Sequence, residues 1–109
     1  MRVAQEVEAK PEISSSHMLD NARHTTLFLK SLAHEGRLTI LCRLAEGPAT
    51  VSELEQVLSV RQSSVSQQLA RLRSEGLVDS ERDGRAIRYF LADERTRRVV
   101  KLLYDLFCE

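Results

Sequence analysis

Apolar residues recur at helical spacing along most of this chain and at strand spacing in one short stretch. Residues 1 to 15 hold only Val3, Val7 and Ile13 as sizeable apolar groups, beside Pro11 and the start of a serine run, the composition of a mobile arm. From His17 to His34 the set Met18, Ala22, Leu27, Leu29, Leu32 and Ala33, with Phe28 beside it, predicts a first long helix that is apolar over a broad arc. Such a helix needs more than its own domain to pack against, and a partner chain is the natural second surface. Gly36 is expected to interrupt. Leu38, Ile40, Leu41, Leu44 and Ala45 then predict a second helix from about Arg37 to Ala45, ended by Glu46-Gly47-Pro48 because glycine caps and proline cannot continue. Ser52 with Glu55 three residues on predicts a capping box that opens a helix over Glu53 to Leu58.

After Ser59, Val60 and Arg61 comes a stretch unlike the others. Val65, Leu69 and Leu72 form one helical stripe, and Gly76 offers a left-handed stop. The remaining face is Gln62, Ser63, Ser64, Ser66, Gln67, Gln68 and Arg71, with no carboxylate before Glu75. An ordinary solvated helix leans on Glu and Lys. These amides and hydroxyls both donate and accept hydrogen bonds, as base edges in a major groove require, and phosphates repel carboxylates. Two short helices joined by a tight turn, the second polar in this way, make a helix-turn-helix. Beyond Gly76, Leu77 to Arg82 predicts a short strand, Asp83-Gly84 a two-residue hairpin turn, and Arg85 to Leu91 the returning strand. A hairpin tipped by Arg82, Gly84 and Arg85 is expected to be a wing that reaches the DNA backbone or minor groove. Asp93 caps a last helix whose Val99, Val100, Leu102, Leu103, Leu106 and Phe107 exceed what a half-buried helix needs, so the first and last helices together are the expected dimer interface.

The expected architecture is mainly α with a small β-hairpin: a winged helix-turn-helix domain over residues 16–109, behind the arm of residues 1–15. A chain of 109 residues suits one such domain with a small core. Its 16 Lys and Arg balance 16 Asp and Glu, so no global basic field announces nucleic acid. The distribution is more telling, because from Arg61 to Leu91 six arginines face four acids that all lie off the reading face. No apolar run approaches membrane-spanning length and the N-terminus holds Glu6, Glu8 and Glu12 where a signal core would be apolar, so a cytoplasmic protein is expected. Within the DNA-facing set, Gln62, Ser63, Ser64, Ser66 and Gln67 are assigned to the groove, Arg61 and Arg71 to phosphate, and Arg82, Arg85 and Arg88 to anchoring the wing.

The stretches LKSLAHEGRLTILCRL at 29–44 and SVSQQLARLRSEGLV at 64–78, followed by the strand-turn-strand to Leu91, resemble the ArsR/SmtB family of winged-helix repressors over about Leu27 to Cys108. That resemblance implies a homodimer that sets one recognition helix into each major groove of a two-fold symmetric operator and is released by small-ligand chemistry. One departure is Arg61, where many relatives have a serine. An arginine cannot accept a backbone N–H, so the cap is lost and a phosphate-seeking cation is gained. Relatives that bind metal commonly use a Cys-x-Cys pair on the first helix of the helix-turn-helix, or an Asp/His set on the last helix. Here the first reads Ser52-Glu53-Leu54-Glu55-Gln56 and the second, Asp93 to Glu109, has no histidine; His17 and His24 are read as solvated or core residues. No metal and no cofactor are expected.

The two cysteines, Cys42 on the second helix and Cys108 near the chain end, have no zinc-finger spacing. Together with the turn His34 to Leu38 they resemble the BigR/SqrR-type repressors. That subgroup implies an inducer of the reactive-sulfur class, a persulfide, which joins the two cysteines by a disulfide or polysulfide bridge and weakens DNA binding. Arg37 and Arg43 are the nearby cations that would favour a thiolate. Three other readings stand beside this one. A repressor of another ligand or metal would keep Cys42 as an inert core residue, and a pure protein-interaction winged helix would not need the acid-free face. A small thiol enzyme would want a Cys-x-x-Cys or helix-start cysteine, which neither is; with no Ser/His/Asp set and no phosphate loop, no enzyme is expected.

Overall fold

The computed structural model describes residues 12–58 and 62–108. In chain order the elements are α1 (Ser15–Leu32), α2 (Glu35–Glu46), α3 (Val51–Leu58), α4 (Gln62–Ser74), β1 (Val78–Asp83), β2 (Ala86–Leu91) and α5 (Glu94–Phe107). Helix α2 is the centre of the fold, packed on α5, α3, α4 and β2. Its Ile40, Leu41 and Leu44 are buried together with Leu54 of α3, Val65, Leu69 and Leu72 of α4, Val78 and Leu91 of the hairpin and Val100 of α5. This is a winged helix-turn-helix, as the periodicity predicts.

The helix starts differ from expectation, and each difference has its cause in hydrogen bonding. Helix α1 begins at Ser15 because the Ser14 hydroxyl accepts the His17 N–H at 3.3 Å, which brings part of the serine run into the fold. The expected arm falls largely on residues 1–11, outside the described residues. Helix α2 begins at Glu35, not Arg37. His34 is its cap: Nδ1 accepts the N–H groups of Gly36 and Arg37 at 3.1 and 3.3 Å. Gly36 therefore lies inside the first turn and interrupts nothing; a Cβ there would come within 3.2 Å of the His34 ring. The expected capping box at Ser52 and Glu55 is two residues out of register. Thr50 Oγ1 accepts the Glu53 N–H at 3.2 Å, and Glu53 Oε1 accepts the Thr50 N–H at 2.8 Å. Ala49 explains the shift, because its N–H and C=O pair with Tyr89 of β2, and Thr50 is the first residue free to turn the chain into a helix.

The strands pair antiparallel with Val78 opposite Leu91 and Asp83 opposite Ala86, so the two-residue turn is Gly84-Arg85 and not Asp83-Gly84. Register is decided at the far end. Pairing Val78 with Leu91 sends both into the core, and a slip of one residue would turn them to solvent. Gly84, with φ 67°, supplies the left-handed turn residue. The cap expected at the last helix is present: Asp93 accepts from both the N–H and the hydroxyl of Thr96, at 3.0 and 2.8 Å, and so satisfies a fully buried threonine.

Candidate nucleic-acid interface and thiol pair

Burial of Val65, Leu69 and Leu72 fixes the rotation of α4 and turns Ser64, Ser66, Gln67 and Arg71 outward to solvent. Gln68 is half-buried against the His34 turn. Arg61 lies outside the described residues, and Gln62 and Ser63 are described as backbone only. The helix ends with Gly76 at φ 80° and the Leu77 N–H returning to the Leu72 carbonyl at 3.0 Å, the arrangement in which glycine needs no side chain. Two of its arginines are held by acids at this end: Arg71 by Glu75 at 3.4 Å and Arg73 by Asp79 at 3.1 Å. Both pairs are exposed, so they orient the side chains and add little stability.

The wing divides its cations. Arg82 and Arg85 are exposed and make no ion pair among the described residues. Arg88 is paired within the chain, with Asp83 at 2.9 Å and with Glu53 of α3 at 3.9 Å. The sequence reading assigned Arg88 with Arg82 and Arg85 to anchoring the wing and did not foresee this brace. The Thr50 N–H, with Arg88 and Arg43 adding to it, holds the Glu53 carboxyl below the usual glutamate range, so one carboxylate caps α3 and ties it to the wing. The T-x-x-E signal at Thr50 to Glu53 was legible; what hid it was a second Ser/Glu pair two residues later.

On the other side of α2, Cys42 is half-buried and Cys108, at the end of α5, is exposed; both are free thiols. The Cys108 N–H closes α5 on the Tyr104 carbonyl at 2.8 Å. Burial pushes the Cys42 thiol up from its ordinary range, and the neighbouring Cys108 and Glu46 push it further. The expected help from arginine is absent: Arg37 donates to the Lys30 carbonyl at 3.2 Å and Arg43 to the Gly47 carbonyl at 3.0 Å, each on the chain's own backbone. Among the described residues no three His, Cys, Asp or Glu side chains converge as a metal group, and no helix is long and apolar enough to cross a membrane.

The model of the arsR family of bacterial regulatory proteins matches residues 34–80, from the α2 cap into β1. The biofilm growth-associated repressor of Agrobacterium fabrum is 42% identical over 97 residues, which cover 89% of this chain and 83% of that protein. The chain belongs to the ArsR family. Among solved structures, the transcriptional repressor BigR of Xylella fastidiosa superposes on this ArsR-family chain with a TM-score of 0.83 at 36% identity, covering 89% of this chain and 99% of that one. Reduced HlyU of Vibrio cholerae superposes at 0.80 with 35% identity, covering 85% and 98%; HlyU is a transcriptional activator. An ArsR-family chain with this likeness is a DNA-binding transcriptional regulator of BigR-like type and not an enzyme.

Proposed function

We propose that this ArsR-family regulator is a cytoplasmic homodimeric repressor that binds a two-fold symmetric operator and is released when a persulfide joins Cys42 to Cys108. Gln62, Ser63, Ser64, Ser66 and Gln67 meet the major groove; Arg61 and Arg71 hold phosphate, Arg71 by exchanging Glu75 for it. Arg82 and Arg85 meet the backbone from the wing, while Arg88 sets the wing's stance and reaches phosphate only by leaving Asp83.

The observation that carries the sensing half is the packing of α2 on α5, which brings the Cys108 thiol close enough to raise that of Cys42. Cys108 is the exposed thiol and attacks first: its thiolate takes the outer sulfur of R–S–SH, and R–S⁻ leaves as a thiol. Cys42 then attacks the Cys108 sulfur of the new persulfide, closing a disulfide and expelling hydrosulfide. Two thiols are oxidised and the transferred sulfur leaves reduced. The bridge pins α2 to the end of α5, the helix with the exposed apolar face, and so biases the spacing of the recognition helices in the dimer.

Intact mass and operator binding of the reduced protein, before and after an organic persulfide and separately after peroxide, test this. A Cys42–Cys108 bridge formed by persulfide, with little from peroxide and a loss of affinity, is the expected result. A bridge that leaves operator affinity unchanged would make the thiols bystanders. The likeness to HlyU favours a second reading, activation from the same DNA surface. Expression of the adjacent gene separates them: it rises when a repressor is deleted and falls when an activator is.

A further inference from the structure

Helices α2 and α5 enclose a cleft of about 670 Å³ lined by Cys42, Glu46, Arg97, Arg98, Lys101 and Tyr104 among others, a volume that suits a small organic ligand. Arg97, Lys101 and Tyr104 follow one another at spacings of four and three, so all three lie on one stripe of α5, and Cys108 is the residue that ends the helix, its N–H on the Tyr104 carbonyl. The exposed Leu102 and Leu106 lie on another side of the helix. Three of the lining side chains are cations. Glu94 meets Arg97 at 3.7 Å and Asp105 meets Lys101 at 2.7 Å, whereas Arg98 has no ion pair among the described residues. Facing them across the cleft, α2 supplies the Cys42 thiol and the Glu46 carboxylate.

We propose that this cleft is a receptor for a small amino-acid-type persulfide, its carboxylate held by Arg98 and by Lys101 in exchange for Asp105, and its ammonium by Glu46, so that the outer sulfur is presented to the Cys108 thiol at the end of α5, with Cys42 beside it to resolve the product. The inference rests on the sensor reading above and names the substrate class. The reaction balances as one R–S–SH and two cysteine thiols giving R–SH, hydrogen sulfide and the Cys42–Cys108 disulfide. The cations touch only the handle of the reagent. Hydrogen peroxide carries no such handle, so the cleft raises the local concentration of the persulfide and leaves the peroxide at its bulk value.

The test follows bridge formation by intact mass in the reduced full-length protein, with cysteine persulfide and with its methyl ester, which lacks the carboxylate. The acid is expected to react about ten-fold faster than the ester, the factor that one retained charge contact of about 1.4 kcal/mol supplies. That advantage should vanish in the double variant Arg98→Gln/Lys101→Gln, whose ester rate and reduced-state operator affinity stay as in the wild type. A second arm needs no bridge: S-methylcysteine, which has no transferable sulfur, should slow alkylation of Cys42 by N-ethylmaleimide in the wild type and not in the variant. Equal rates for acid and ester, with no protection by S-methylcysteine, would overturn the receptor and leave the sensor reading intact. Protection without bridging by either persulfide would keep the receptor and remove the sensor.

Discussion

Cys42 and Cys108 differ in how a reagent meets them. Cys42 is half-buried with its thiol held protonated by burial, by Cys108 and by Glu46, while Cys108 stands in solvent one residue beyond α5. Cys42→Ser is therefore expected to trap a persulfide on Cys108, one added sulfur atom by mass, and Cys108→Ser to react many-fold more slowly. Faster labelling of Cys42 than of Cys108 would reverse the proposed order of attack. Asp93 is the other residue on which a good deal rests. Burial opposes its ionised form, but the Thr96 hydroxyl and N–H and then Arg95 outweigh that and leave its carboxyl below the ordinary aspartate range. A carboxyl depressed on folding stabilises the fold above its unfolded value, and that stabilisation is lost as pH falls through the lower folded value, here below about pH 4. Asp93→Ala should cost about 2 kcal/mol at neutral pH, a lost cap plus an orphaned threonine hydroxyl, and the variant's melting temperature should fall less steeply with acid than the wild type's. Thermal melts at pH 7 and pH 3.5 check both parts.

Among the elements, α4 and the wing are set for different tasks, and salt dependence separates them. Gln67 is exposed on the acid-free face of α4 that we propose meets the major groove, where an amide can distinguish base edges. Gln67→Ala is expected to relax preference at one base pair of each half-site by about 1–3 kcal/mol, with little change on unrelated DNA. Equal loss on every sequence would remove it from base reading. Arg85 lies in the turn of the wing with no ion pair among the described residues, so Arg85→Ala should weaken all sequences alike and lower the salt slope by roughly one per subunit. Arg88→Ala should differ from it. Losing the tie from Asp83 to Glu53 loosens the wing from α3, so affinity falls while the salt slope stays near the wild-type value. Operator titrations from low to moderate salt measure all three.

At the scale of the whole molecule, the proposed dimer bears on the shape. The Cα radius of gyration is 17.5 Å and the longest extent 59 Å, whereas a compact chain of this length has a radius near 13 Å. Helix α1 has one buried residue, Leu32, while its Met18, Leu19, Leu27 and Leu29 are exposed. Helix α5 likewise exposes Leu102, Leu106 and Phe107. Apolar surface of this extent calls for a partner, and two faces on first and last helices of one chain fit a second copy. Leu19→Glu and Leu102→Glu are each expected to shift the protein from dimer to monomer in sedimentation and to cost operator affinity, because a monomer spans one half-site and a dimer two about 34 Å apart. A wild type that sediments as a monomer while binding operator tightly would contradict this.

Hydrophobic periodicity by itself determined the helices, the hairpin and the identity of the core: Val65, Leu69 and Leu72 are the buried stripe of α4 because no other rotation hides three apolar residues at once. The acid-free face of α4 was legible for the same reason, since what is not on the buried stripe must point outward. Capping was legible in kind but not in place. Thr50 and the Gly84-Arg85 turn were decided by which backbone groups were already paired, by Tyr89 with Ala49 and by Val78 with Leu91, and such pairings join residues far apart in the chain. The electrostatics divided: Arg71 with Glu75 and Lys101 with Asp105 are pairs four residues apart on one helix, whereas the ties of Arg37 and Arg88 belonged to the tertiary structure. Arg37, Arg43 and Arg88 are near Cys42 or the proposed DNA face along the sequence, but a long flexible side chain can carry each guanidinium to several acceptors. Where it settles depends on the nearest unpaired acceptor, and that is a property of the packed molecule.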